Sequence, residues 1–157
     1  MNMHFAPLSF DIVTALDILE HIQDDKNALL EIFRVLRHNG ILVITVPANR
    51  FLWGSFDITM AHKRRYSLPE LNNKLTSANF KIKKISYFSF SVFLPTAILR
   101  IMQNSFLKPC VPKTPLVILP KLENKILLFI MKSENLLINK GFNFPFGVDI
   151  VCVATKD

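Results

Sequence analysis

The chain has 157 residues, of which 50% are hydrophobic and 20% are charged. This composition excludes disordered and fibrous proteins and predicts one globular domain over residues 1–157. With 19 Lys and Arg against 12 Asp and Glu, the net charge of +7 favours anionic partners. The two cysteines, Cys110 and Cys152, form no CxxC pair. That argues against a disulfide framework or a zinc site and favours a reducing, cytoplasmic setting.

The sequence carries no secretory or membrane-spanning signal. Residues 1–8 lack a basic region followed by a long apolar run. The two most apolar stretches, residues 87–101 and 116–130, are interrupted by proline and charged residues. They fall short of the roughly 20 apolar residues that a spanning helix needs. Their aliphatic and aromatic content leaves two interpretations open, which are a buried core and peripheral contact with a membrane.

The first predicted elements are a strand, a helix and a second strand. Phe10–Leu16 is a short apolar run typical of a central parallel strand buried on both faces. Asp24 and Asp25 supply N-cap chemistry for an amphipathic helix, which we expect to end with Gly40 in a left-handed C′ position. Ile41–Val46 reads as another buried strand. Together the three elements predict a right-handed βαβ crossover.

A long loop and the remaining elements follow. Residues 48–66 show little periodicity, and a loop at this end of a parallel sheet is where ligands bind. Ser67 and Glu70 form a capping box that opens a helix to about Ala78. The later pattern predicts a strand over Lys81–Phe88, helices over 92–106 and 122–139 separated by a proline-rich link, and a strand over Val148–Thr155. The domain then consists of an α/β core (10–90), a helical insertion that covers a pocket (91–140) and a final strand (141–157).

A resemblance to a known family is carried by residues 10–48, FDIVTALDILEHIQDDKNALLEIFRVLRHNGILVITVPA. They resemble the fourth and fifth strands, with the helix between them, of class I S-adenosylmethionine (SAM) dependent methyltransferases of the type 11-like kind. Residues 52–88 resemble a subgroup with the pattern D-x-x-x-x-H-x-R-R-Y-S, which here runs from Asp57 to Ser67. The ending FPFGVDIVCVATKD resembles the ending of that subgroup.

The resemblance implies a Rossmann-like α/β fold in which this chain supplies the strands 4-5-7-6, with the two later helices as an insertion. It implies SAM as the cofactor and a small-molecule, sugar or lipid-linked acceptor, with oxygen as the expected target. The family binds SAM with a glycine-rich turn after its first strand, because backbone must approach the cofactor closely. The four glycines here, Gly40, Gly54, Gly141 and Gly147, form no G-x-G arrangement.

We therefore expect a truncated domain that lacks about 80 residues. In it, the Phe10–Leu16 strand becomes an uncovered apolar edge, which invites pairing. An N-terminal partner chain or a homodimer would complete such an enzyme. The alternative is a non-catalytic pseudoenzyme subunit that docks onto a partner.

The cofactor pocket is implied for the residues after the first strand, namely Asp17, Ile18, Leu19, Glu20 and His21. The alternative is that these residues only start a turn and cap the next loop. A divalent cation held by Asp17, Glu20, His21 and His62 is a further hypothesis. That set resembles the E-x-x-E-H plus distant histidine of metal-assisted methyltransferases, in which the ion orients an acceptor hydroxyl and lowers its pKa.

The candidate catalytic residues are His62 and Asp57. An unperturbed imidazole pKa of about 6.5 suits removal of a proton from an acceptor hydroxyl. A structural histidine is the alternative.

The candidate substrate-binding residues are Arg64, Arg65, Tyr66 and Trp53. The arginines could clamp a phosphate or carboxylate of the acceptor, and the aromatic rings could stack on a sugar or lipid group. A solvated basic loop and ordinary packing are the alternatives. Lys81, Lys83 and Lys84 with the net charge are compatible with nucleic-acid binding, but charge alone supports it and no nucleic acid is expected.

Overall fold

A computed structural model describes residues 3–106 and 120–157. The described residues form four strands, five α-helices and two short 3-10 turns at Leu19–His21 and Arg50–Leu52. Three prolines of the predicted link and one cysteine lie outside the described residues; they are Pro109, Pro112, Pro115 and Cys110. In chain order the elements are β1 (Phe10–Leu16), α1 (Asp25–Val35), β2 (Leu36–Pro47), α2 (Ser55–Thr59), α3 (Leu68–Ser77), β3 (Lys81–Phe88), α4 (Phe93–Phe106), α5 (Lys121–Asn139) and β4 (Asp149–Thr155).

The four strands form one sheet in the order β1-β2-β4-β3. β1 and β2 are parallel, with Ile12 opposite Ile41 and Leu16 opposite Thr45. β4 inserts between β2 and β3 and is antiparallel to both. This is the predicted 4-5-7-6 order, since β3 and β4 take the places of the sixth and seventh strands. The predicted α/β architecture is therefore confirmed.

The two faces of the sheet are covered unequally. Alternate residues of β2 and β4, such as Leu42, Ile44 and Cys152, are buried on one face. There they join the apolar sides of α1 and α3 in one continuous core, with Leu29 and Leu75 among the contributors. On the other face, the intervening strand residues are only half-buried. The main core therefore lies between the sheet and the helices α1 and α3.

Helix α1 begins as predicted but ends earlier than predicted. Asp24 is its N-cap and accepts a hydrogen bond from the backbone of Asn27 (3.0 Å). The prediction that Gly40 provides a left-handed C′ residue is wrong, because the backbone is already extended at Leu36. The Lys156 ammonium donates to the carbonyls of Phe33 (2.6 Å) and Leu36 (2.9 Å) and so satisfies the end of the helix from the far end of the chain.

Strand β1 is an edge strand among the described residues, and not a strand buried on both faces. It pairs with β2 alone, and Ile12 and Leu16 are 57% and 52% exposed. The expectation of an uncovered apolar edge matches this placement.

The remaining elements follow their predicted ranges closely. β3 has the predicted bounds, and α4, α5 and β4 each begin within one residue of prediction. Ser67 caps α3 and accepts from the Glu70 backbone (3.3 Å). The predicted loop over residues 48–66 contains the short helix α2. Among residues 3–106 and 120–157, no helix is both long and apolar enough to cross a bilayer.

Candidate functional site

A cavity of about 370 Å³ opens at the edge of the sheet where β1 and β2 end. Because β4 is antiparallel to β2, its first residue, Asp149, lies opposite Pro47 at the same edge. The turn after β1, the 48–66 segment and α4 complete the walls. The cavity therefore lies at the carboxyl edge of the parallel strands, where ligands of open α/β sheets bind.

Three of the five residues predicted to bind the cofactor line this cavity: Asp17, Glu20 and His21. The other two do not line it: Ile18 is exposed to solvent, and the Leu19 side chain is buried in the main core. The turn thus presents its polar residues to the cavity and its leucine to the protein interior.

Thr45 of β2 fixes the position of Asp17. The Asp17 backbone N–H donates to the Thr45 carbonyl (3.0 Å), and the Thr45 hydroxyl donates to the Asp17 carboxylate (3.1 Å). Asp17 has a φ of 51°, a left-handed conformation that aspartate tolerates better than most residues. The parallel pairing of β1 and β2 therefore sets the start of the cavity wall to which Asp17 belongs.

Glu20 is a fully buried carboxylate whose oxygens receive no hydrogen bond from the described residues. Burial raises its pKa to about 7. Its Oε1 lies 3.8 Å from Nε2 of His21 and 4.0 Å from Nε2 of His62. One ligand atom from each of these residues falls within 4.8 Å of the others. Asp17, which the sequence pattern included in a cation site, is not part of this cluster.

Asp57 is also fully buried, but its carboxylate is saturated with partners. Oδ2 accepts from the Gly54 backbone (2.9 Å), and Oδ1 accepts from Nε of Arg65 (2.7 Å). The same Oδ1 lies 3.0 Å from Nδ1 of His62. Because a carboxylate held by an arginine can only accept, Nδ1 of His62 carries the proton. Nε2 is then the unprotonated nitrogen of a neutral His62, and it is on the Glu20 side of the ring.

A second buried network involves the predicted substrate residues Arg64 and Tyr66. The Tyr66 hydroxyl donates to Asp25 (2.8 Å), and that carboxylate also binds Lys74 (2.9 Å) and Arg64 (3.1 Å). Burial would raise the pKa of Asp25, but these hydrogen bonds and charges outweigh it and lower the pKa. Tyr66 is part of the main core and outside the lining of the cavity, a placement that favours a structural role.

Trp53, Arg64 and Arg65 line a neighbouring basic cavity of about 500 Å³. Its lining also includes Lys63 and Arg50. Arg65 is buried between the two cavities and donates to Asp57 and to the Ala48 carbonyl (3.0 Å). Both predicted arginines are therefore hydrogen-bonded within the protein, and both still border this cavity.

Sequence reasoning missed Asp149 and Arg100 as residues of the site. Burial and the nearby Asp17 charge raise the pKa of Asp149 to about 6. Arg100 enters from α4 and lies across Gly54, where a Cβ would come within 2.5 Å of its Nη1. An aspartate opening an otherwise apolar strand was a usable signal for Asp149. For Arg100 the sequence offered none beyond its place in an apolar helix.

Comparisons with known proteins agree with this architecture. Residues 1–44 match the methyltransferase domain family. A probable S-adenosylmethionine-dependent methyltransferase of Mycolicibacterium smegmatis is 30% identical over 78 residues, which cover 48% of this chain and 30% of that protein.

Solved structures share the fold at lower identity. A SAM-dependent methyltransferase of Thermotoga maritima, a possible histamine N-methyltransferase, aligns with a TM-score of 0.58 at 17% identity, over 99% of this chain and 60% of that one. Phosphoethanolamine N-methyltransferase 2 of Haemonchus contortus, in complex with SAM, aligns with a TM-score of 0.53 at 19% identity, over 98% of this chain and 34% of that one.

The chain thus spans less than two thirds of the length of these proteins. The family match over residues 1–44 and the strand order of the sheet nevertheless indicate the same fold. The resemblance to class I SAM-dependent methyltransferases is confirmed by the family match, by the relative and by the Rossmann-like fold.

Proposed function

We propose that the whole protein transfers a methyl group from SAM to a hydroxyl of a small-molecule, sugar or lipid-linked acceptor. The observation that carries this proposal is the convergence of two features on one cavity. The acidic turn after β1 lines one wall, and His62, held by Asp57, lines another. A cofactor side and a candidate base therefore meet at the carboxyl edge of the sheet.

The acidic wall fits the positively charged end of SAM. Asp17, Glu20 and Asp149 all line the cavity, and the methionine part of SAM carries a sulfonium and an ammonium cation against a single carboxylate. Four glycines without a G-x-G turn do not provide the close backbone approach that the nucleotide part requires. We infer that the glycine-rich side of the site is supplied by further sequence or by an N-terminal partner chain, because a second copy would carry the same four glycines.

His62 acts as the general base in this proposal. When bound, SAM supplies the methyl group from its sulfonium, which becomes a thioether as the new O–CH₃ bond forms. The acceptor proton passes to Nε2 of His62, and Asp57 stabilises the resulting imidazolium through Nδ1. Arg65 holds Asp57 in place, so it positions the base instead of clamping the acceptor.

The basic cavity supplies the acceptor site. Trp53 offers an aromatic surface there, while Arg50, Lys63 and Arg64 make the lining cationic. A phosphate or carboxylate on the acceptor suits this charge. Arg65 lines both cavities, so the two lie side by side, and the proposal places the acceptor between the basic lining and His62.

The test is transfer of a radiolabelled methyl group by the protein purified from its own cells. SAM labelled at the methyl group is incubated with polar and lipid extracts of the same cells. We expect a labelled methyl ether and a loss of rate of about 100-fold or more for His62→Gln. Label on nitrogen or carbon would contradict the oxygen target. Absence of labelled product from every extract would favour the non-catalytic subunit.

A divalent cation is a second candidate ligand, favoured by the cluster of Glu20, His21 and His62. The Glu20 oxygens lack a hydrogen-bond partner among the described residues, and two imidazole nitrogens lie about 4 Å from Oε1. Imidazole and carboxylate ligands suit Zn²⁺ or Mn²⁺, and the Asp57–His62 hydrogen bond is the outer contact that metal-bound histidines usually make.

Calorimetric titration of ZnCl₂ or MnCl₂ into the chain tests this site. We expect one ion per chain, with binding reduced about 10-fold or more in Glu20→Gln. Asp17→Asn is the matched control, because Asp17 lies outside the cluster. Equal binding by wild type and Glu20→Gln would remove the cation from the account.

A further inference from the structure

Helix α4 has two faces of different character. Thr96 and Arg100 line the cavity and Ala97 is buried, so this side of the helix belongs to the site. The opposite side carries Leu94, which is 65% exposed, and a set of equally unprotected apolar residues: Ile98, Leu99, Ile101 and Met102. Over residues 93–102 the one charged residue is Arg100, on the cavity side. The outward face of α4 is therefore entirely apolar over this range.

Helix α5 also has an exposed apolar face, and it is longer than that of α4. Glu134 attaches it to the body, because its carboxylate is buried and accepts from the backbone of Phe90 (3.2 Å) and Ser91 (2.7 Å). Away from this contact, Leu122 and Phe129 are 70% and 72% exposed. At 100° per residue they share one stripe, about 120° wide, with four further exposed residues: Ile126, Ile130, Leu136 and Leu137. Glu134 lies just beyond the edge of this stripe, next to Ile130.

Lysines border the apolar stripe of α5. Lys121, Lys125 and Lys132 fall together on one flank of it at helical spacing, and all are exposed. Glu123 is the one exposed acidic residue of the helix, so the exposed surface of α5 is cationic. An aliphatic and aromatic stripe flanked by lysines is typical of helices that lie in a membrane interface. Lysine is depleted at protein–protein interfaces, which disfavours a protein as the occupant.

We propose that the outward faces of α4 and α5 bind the surface of an anionic lipid bilayer. The apolar side chains enter the boundary between headgroups and acyl chains, and the lysines contact anionic headgroups. No helix of the described chain is suited to spanning a bilayer, so the helices lie on it. Because α4 contacts the membrane on one face and the cavity on the other, the cavity stands beside the lipid surface. If the proposed methyl transfer holds, this placement selects a lipid-linked acceptor.

The test is sedimentation of the chain with vesicles, measured without any methyl-transfer assay. Vesicles of phosphatidylcholine alone are compared with vesicles that also contain phosphatidylglycerol. We expect binding to the anionic vesicles that weakens as salt rises, and about 10-fold or more weaker partitioning for the double variant Ile126→Gln with Phe129→Gln. Lys125→Glu with Lys132→Glu should weaken binding to the anionic vesicles alone.

Ile58→Gln is the matched control, because Ile58 is 55% exposed but lies in α2. It should bind vesicles like wild type. Circular dichroism of each variant shows whether the helices persist. Failure of wild type to bind either vesicle, or equal binding by the α5 double variant, would overturn the proposal. So would a dimer in sedimentation velocity that the double variant abolishes in the absence of vesicle binding, since the face would then join two copies of the chain.

Discussion

Two buried carboxylates at the cavity differ in their hydrogen bonding: Glu20 lines it, and Asp57 lies behind His62 and Arg65. Asp57 and Glu20 are both 0% exposed. Asp57 has a backbone amide, a guanidinium and an imidazole around it. The Glu20 oxygens accept no well-formed hydrogen bond from the described residues, and its own backbone N–H only partly offsets the rise in pKa that burial causes. His21 and His62 lie about 4 Å away. Removing Asp57 therefore breaks an existing network, whereas Glu20 remains able to receive a ligand.

In the proposed function, this contrast separates a positioning group, Asp57, from a binding group, Glu20. A buried charge without partners costs free energy, and proteins retain such a group where a ligand or a proton compensates it. A paired buried charge costs little while its partner remains and much when the partner is lost. The Asp57 side is therefore expected to govern stability, and the Glu20 side to govern pH response and binding.

The largest expected effect is that of Asp57→Ala. It leaves Arg65 buried without its carboxylate, which should lower the free energy of unfolding by about 3–5 kcal/mol. Urea denaturation at pH 7 measures the change. Asp17→Asn serves as the comparison, because Asp17 is exposed. A loss below about 1 kcal/mol for Asp57→Ala would show that the Asp57 network does not stabilise this wall.

The next largest effect should be the change that Glu20→Gln makes to the pH dependence of the free energy of unfolding. Because burial raises the folded-state pKa of Glu20 from 4.5 to about 7, the protonated form is favoured by folding. The contribution of Glu20 to the free energy of unfolding is fully present below pH 4.5. It is lost as pH rises through about 7, which lowers that free energy by roughly 3 kcal/mol. Glu20→Gln should retain that stability at pH 8 and match wild type at pH 4.

Denaturant titrations of both proteins across this pH range provide the measurement. Asp149, with a pKa raised to about 6, should leave a smaller decline with rising pH in the variant. If the free energy of unfolding varied with pH in the same way in wild type and variant, Glu20 could not be an unpaired buried carboxyl.

Tyr66→Phe should have a smaller effect. It tests the hydrogen-bond network around Asp25, which includes Arg64 of the basic cavity. It removes the hydroxyl donor to Asp25 but leaves Lys74 and Arg64 in place. The expected loss in free energy of unfolding is about 1 kcal/mol. A loss of methyl transfer with unchanged stability would instead place Tyr66 in contact with the acceptor.

Arg50→Ala should have the smallest effect. Its pair with Glu70 (3.0 Å) is at the surface, and such pairs contribute less than about 1 kcal/mol. Thermal denaturation should show little change. A strong loss of acceptor binding would be informative, because Arg50 lines the basic cavity.

Local patterns explain why the sequence predicted the sheet so well. Apolar runs such as Ile41–Val46 and the Ser67 cap are encoded within a few residues. The end of α1 was mispredicted because its cap, Lys156, comes from the opposite end of the chain. Likewise, the pattern from Asp57 to Ser67 named His62 and Asp57 as candidates, but the long-range Asp25–Tyr66 hydrogen bond has no local signal. The missing partners of Glu20 could be recognised only once its neighbours were in place.

The most direct test of the central claim is a nuclear magnetic resonance titration of the ¹⁵N-labelled chain with S-adenosylhomocysteine. This method detects weak binding, as expected if these residues form one side of the cofactor site. The account predicts saturable shifts at the amides of Asp17, Glu20, His21 and Asp149, and their loss in Asp17→Asn. Absence of shifts at these amides, or shifts confined to other parts of the chain, would contradict the assignment of this cavity to the cofactor.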